Sequence, residues 1–109
     1  MKKISLFIIT LLMSGLTALT FAQVSVTFQV DMANETVSPD GVHVAGSFQD
    51  EAGYPGDWDP STTELTQVGA TTVYAITVTL PEGYYEFKYI NGNAWGSDES
   101  VPGGCNQNG

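Results

Sequence analysis

The chain has 109 residues, twelve acidic side chains and three basic ones, for a net charge of −9. Two of the three cations, Lys2 and Lys3, sit at the extreme N-terminus. The rest of the chain therefore sets one cation, Lys88, against all twelve acids. Such a surface repels phosphate backbones and anionic lipid heads, which excludes nucleic-acid and membrane-surface roles.

Lys2 and Lys3 precede a mainly apolar, uncharged run over residues 4–19, and Thr20, Phe21 and Ala22 close it. A short basic region, an apolar stretch too short to span a bilayer and small residues before a cleavage point predict a secretory signal peptide over residues 1–22. The alternative is a single N-terminal anchor. The reading predicts export to the periplasm, the cell surface or the medium, with no membrane contact after cleavage. Residues 23–109 then suffice for one small domain. The single cysteine, Cys105, excludes an internal disulfide and a thiolate metal cluster. The Gly- and Asn-rich ending around it is expected to be an artificial stop in a longer protein.

In chain order, residues 24–32 alternate Val24, Val26, Phe28, Val30 and Met32 with polar side chains, the period of a half-buried strand. Pro39, Asp40 and Gly41 make a turn. A second strand is expected over residues 42–48, with His43 facing solvent between Val42 and Val44. Residues 49–61 form a long polar loop that carries Trp58. Residues 65–68 are a short strand candidate, and residues 72–80 a strong one with Tyr74, Ile76, Val78 and Leu80 on one face. Pro81, Glu82 and Gly83 turn the chain into a strand beginning at Tyr84. Tyr85, Phe87 and Tyr89 are expected as its buried row, with Glu86, Lys88 and Ile90 on its back. Asn91-Gly92-Asn93 is a tight hairpin signal, followed at once by Trp95. From Ser97 onward the chain reads as loop. No helical periodicity appears after the leader, so the class is all-β, a small sandwich.

Three constellations carry chemistry. Trp58 and Trp95 each lie in a polar loop; each is either a lid folded onto the sandwich or a platform on which the apolar face of a sugar ring stacks. Lys88 either offsets neighbouring acids such as Glu86 or donates to a ligand beside the indoles. Asp50, Glu51, Asp57 and Asp59 are rich in oxygen, but their spacing departs from an EF-hand, and solvated acids are the expected role. No nucleophile-elbow pattern exists, and so small a chain has little room for a cleft holding a raised-pKa carboxyl. The expectation is a non-enzyme with no catalytic residue, no metal site and no cofactor.

Read in order, Val44-Ala-Gly-Ser-Phe48, Trp58-Asp-Pro60, Leu80-Pro-Glu-Gly83, Tyr85-Glu-Phe-Lys-Tyr89 and Trp95 resemble a starch-binding domain. The likeness is to carbohydrate-binding modules of family 20 and the glycogen-binding modules of family 48, over residues 41–102. It implies an antiparallel immunoglobulin-like β-sandwich lacking its last strand. It implies a non-catalytic α-glucan binder, with Trp58 and Trp95 as stacking platforms, Lys88 as a donor to sugar hydroxyls, and Asn91 and Asn93 as further polar contacts. The module would bind starch or glycogen, alone or appended to a glycoside hydrolase, with further domains in the same chain. Residues 49–57 are longer than the family pattern. The alternative to a binder is a structural sandwich domain of a larger secreted or surface protein.

Overall fold

The computed structural model describes residues 22–99. Residues 1–21 of the expected leader, Cys105 and the expected missing strand lie outside them. Five strands follow one another: β1 (Gln23–Asp31), β2 (Val42–Gly46), β3 (Glu64–Gln67), β4 (Val73–Pro81) and β5 (Phe87–Asn91). Every pairing is antiparallel, in the order β1-β4-β3-β2-β5, and no described residue is helical.

The short β3 is the corner of the sheet. Its first half, Glu64 and Leu65, pairs with His43 and Val42 of β2, and its second half, Thr66 and Gln67, pairs with Ala75 and Tyr74 of β4. One layer is therefore β1-β4-β3 and the other β3-β2-β5, and the sheet curls so that the two inner faces meet. Phe28 of β1 packs with Val44 of β2, Leu65 of β3, Val78 and Leu80 of β4, and Phe48, all of them buried. The Phe28 and Phe48 rings lie 4.4 Å apart. Period-two alternation in β1 and β4 produces this core, because one face of each strand supplies apolar side chains while Thr27 and Thr77 pair hydroxyls on the other at 2.8 Å.

β1 and β5 stand at the two ends of the sheet order, and Tyr89 ties them. Its hydroxyl accepts from Gln29 N and donates to Gln29 O, both at 2.9 Å. Below this tie a groove of about 510 Å³ opens, with Val30, Met32, Tyr89 and Ile90 among its walls.

Several expectations change. The strand at residues 42–48 stops at Gly46, and Phe48 enters the core from the turn that follows. Gly46 is required there: a Cβ would lie 2.2 Å from Glu86 O and 2.9 Å from Phe87 Cα. That close approach fixes the start of β5 at Phe87, three residues later than the alternation predicts. Residues 82–86 instead cross from one layer to the other. Within the crossing Tyr85 turns back to donate to Pro81 O at 2.7 Å, and Ser47 exchanges two hydrogen bonds with Glu86. The aromatic row is only partly buried. Phe87 is 44% exposed although it packs edge-on against Phe28, whereas Ile90, on the lysine's face, is fully buried.

His43 does not face solvent. It is 3% exposed, because β3 and β5 flank β2 and every residue of β2 is buried, whichever face it occupies. Its Nδ1 lies 2.6 Å from Gly92 O and its Nε2 3.9 Å from a Glu64 carboxylate oxygen. A strand flanked on both sides and covered on both faces leaves no solvated position for a ring that sequence alternation assigns to the outside.

Candidate functional site

Trp58 lies in the long loop between β2 and β3, and that loop is built around a buried amide. Gln49 is fully buried. Its Oε1 accepts from Gly46 N at 3.2 Å and from Asp59 N at 2.9 Å. Its Nε2 donates to Asp59 O at 2.8 Å and to the Thr63 and Thr62 hydroxyls. Asp57 Oδ1 accepts from Asp50 N at 2.8 Å, and Trp58 N donates to Gly46 O at 3.1 Å. Trp58, held between these ties, has φ of 57°, the one positive φ outside glycine among the described residues. An L-residue in that region costs about 1–2 kcal/mol, which the surrounding hydrogen bonds must offset.

Trp95 lies in the hairpin after β5. Asn91 N donates to Ser97 O, Ile90 faces Asp98 across the bridge, and Glu99 N donates to Tyr89 O, so the chain returns along β5 where the sequence reads as loop. Gly92, with φ of 127°, makes the reversal possible and donates its N–H to Gly41 O. Asp98 joins the rest of the site. One carboxylate oxygen accepts from Lys88 Nζ at 3.1 Å, and the other accepts from Gly96 N at 3.2 Å, beside Trp95. The bond from Lys88 and that from Gly96 hold the Asp98 carboxyl below the usual carboxylate range.

The fold thus brings two of the five expected site residues together and ties a third, Lys88, to the hairpin that carries one of them. The Trp58 and Trp95 rings lie 6.5 Å apart, tilted by 40°, and the two residues are 41% and 45% exposed. Lys88 and Gly96, the residue after Trp95, are both held by the Asp98 carboxylate. Lys88 also faces Ala45 in the β2–β5 ladder, next to the Gly46 carbonyl that holds Trp58. Two half-exposed indoles offer apolar faces to a ring.

The two asparagines separate. Both functions of the Asn91 amide are engaged with the loop before β2, accepting from Ser38 N at 2.8 Å and donating to Thr36 O at 2.9 Å, so it braces the hairpin. Asn93 is exposed in the hairpin loop. Of the acidic loop residues, Asp57 serves Asp50, and Asp59 accepts from Ser61 N and Oγ, which lowers its pKa from the ordinary value. No group of three or more metal-ligating side chains assembles among the described residues. Sequence reasoning missed Gln49 and Asp98. Gln49 gives no periodic signal, since all its partners but Gly46 lie ten to fourteen residues away. Asp98 gives no pairing signal either: the bridge sets it opposite Ile90, and its side chain reaches diagonally to Lys88.

Residues 41–108, which include Gln49, Trp58, Lys88, Trp95 and Asp98, match the model of the pullulanase X25 domain. The chain belongs to this family. An X25 domain is a small non-catalytic module, in line with the expectation of no catalysis. Over 71 residues, 64% of this chain, the domain is 39% identical to an amylopullulanase of Thermoanaerobacter thermohydrosulfuricus and 38% identical to one of Thermoanaerobacterium thermosulfurigenes. It spans only 4% and 3% of those proteins' lengths. No solved structure matches the domain significantly. The match places the chain in X25, where the sequence resembled families 20 and 48.

Proposed function

We propose that this X25 domain is an exported, non-catalytic module that binds α-glucan of the starch or glycogen type. The observation that carries the reading is the Trp58–Trp95 pair, half-exposed, 6.5 Å apart and tilted by 40°, with Lys88 held by Asp98 in the hairpin that carries Trp95. Two mutually tilted platforms suit a curved chain of rings better than a flat one. Each stacked ring withdraws apolar C–H surface from water at about 25 cal/mol per Å², and Lys88 supplies N–H donors. Stacking with a few hydroxyl contacts corresponds to roughly −4 to −8 kcal/mol, a millimolar to micromolar affinity. Membership of a pullulanase family accords with such a ligand. The two layers sharing β3 accord with an immunoglobulin-like sandwich of the starch-binding type, to which a further strand along β5 would belong. The leader over residues 1–22 and further domains in the same polypeptide are part of the proposal, as they suit a small module of a large secreted hydrolase.

A specific observation supports a second reading. The indoles contact each other and Lys88 is engaged by Asp98, so the cluster also makes sense as packing against a neighbouring domain, with no glycan binding.

Titration with maltoheptaose or β-cyclodextrin, followed by tryptophan fluorescence, tests the proposal. Saturable binding at millimolar sugar or below is expected, lost in Trp58→Ala and in Trp95→Ala and weakened in Lys88→Ala. A folded protein whose fluorescence ignores millimolar sugar sinks the glucan reading in favour of the packing one.

A further inference from the structure

We propose that Gln49 is the positioning residue of the tryptophan pair: its buried side-chain amide grips the backbone of Asp59 and thereby sets the conformation of Trp58. As a determinant of glucan affinity, this role rests on the binding function proposed above. As a determinant of indole geometry, it does not.

The chemistry of the grip is specific. Gln49 presents one acceptor and one donor to the N–H and C=O of a single residue, at 2.9 and 2.8 Å, as a neighbouring strand would. The same Oε1 accepts from Gly46 N, and the Gly46 carbonyl accepts from Trp58 N. Trp58 is thus fixed on one side through its own N–H and on the other through Asp59, both referred to the end of β2. The Thr63 hydroxyl, also fully buried, orients the amide by accepting from Nε2 at 3.0 Å. A tryptophan with φ of 57° has no intrinsic reason to stay there, since the allowed left-handed region is small and disfavoured for bulky side chains. Release of Asp59 lets residue 58 relax to a negative φ, which swings the indole away from Trp95. The buried amide can be supplied only by a residue of this length: Asn falls short, and Glu keeps the acceptor but sets a second acceptor against Asp59 O.

The test compares the 109-residue chain with Gln49→Glu and Thr63→Val, and with Trp58→Phe as the reference for a broken pair. The readouts are the exciton couplet of the two indoles in circular dichroism, the sheet signal with thermal unfolding, and maltoheptaose affinity. Gln49→Glu is expected to retain the sheet signal, to lose most of the couplet, as Trp58→Phe does, and to bind about tenfold more weakly. Thr63→Val, which loosens the amide without removing it, is expected to give a smaller loss of couplet and decides the matter if Gln49→Glu does not fold. An unchanged couplet in folded Gln49→Glu, or in Thr63→Val where Gln49→Glu is unfolded, overturns the proposal. A lost couplet in a protein whose parent never bound sugar supports the positioning role and refutes the glucan function alone.

Discussion

Trp58 combines two features that rarely coincide: a large aromatic side chain left 41% exposed and a left-handed backbone. The exposed ring gains only part of the burial free energy, and the backbone carries a strain cost. Glycine adopts positive φ without a Cβ penalty, whereas alanine retains it. Both substitutions remove the indole. Trp58→Gly is therefore expected to be more stable than Trp58→Ala by about 1 kcal/mol, read from urea midpoints. Equal stability of the two, or a more stable alanine variant, would show that the backbone at residue 58 is not strained. Residue identity in the sequence marks Trp58 as a candidate. Its conformation, and the Gln49 amide that sets it, arise only when residues 46, 49, 59 and 63 meet.

At the level of elements, the β5 hairpin carries half of the site. The lone cation was legible from counting charges, and the Asn91-Gly92 reversal from its turn chemistry. The return strand was not, because Ser97, Asp98 and Glu99 have no alternation and pair through backbone and carboxylate groups. Asp98 has a pKa below its unfolded value, so its contribution is fully present above about pH 3.9 and is lost as pH falls through the lower, folded value. Acidification below pH 4 is therefore expected to release Lys88 and Gly96 and to change Trp95 emission, an acid transition that Asp98→Asn should abolish. A transition of the same size in Asp98→Asn would assign the effect to another carboxylate. The late start of β5 has a comparable cause. Alternation over residues 84–90 is real in the sequence, but the chain must first cross between layers, and the Gly46 contact allows pairing only from Phe87.

For the whole molecule, the curl of the sheet depends on two local facts. β3 changes partners after Leu65, and Tyr89 spans from β5 to the Gln29 backbone. Burial raises the Tyr89 pKa, so the tie persists at neutral pH and is lost as pH rises above the ordinary phenol value of about 10, through the raised folded one. Tyr89→Phe removes both hydrogen bonds while keeping the ring against Phe87. It is expected to lower stability by about 1–2 kcal/mol, measured by urea unfolding, and to speed hydrogen exchange along β1. No change in either would mean that the core alone holds the two layers together. His43 belongs to this scale as well. Its place in an alternating run points outward, yet it is buried because the hairpin of β5 lies over that face of β2, with Gly92 O 2.6 Å from its ring.

The all-β class, the core faces of β1 and β4, the turns at Gly41 and Gly92, and three residue types suited to a sugar are all legible in the order of the amino acids. These follow from side-chain period, turn chemistry and charge, which act over a few residues. Folding alone brings Trp58 to Trp95, Lys88 to Asp98 and Asn91 to the loop it braces, and sets Gln49 at the centre of the loop that presents Trp58. Those outcomes depend on hydrogen bonds and contacts between residues ten or more positions apart. Their geometry is set by the curl of the sheet, and no local pattern records it.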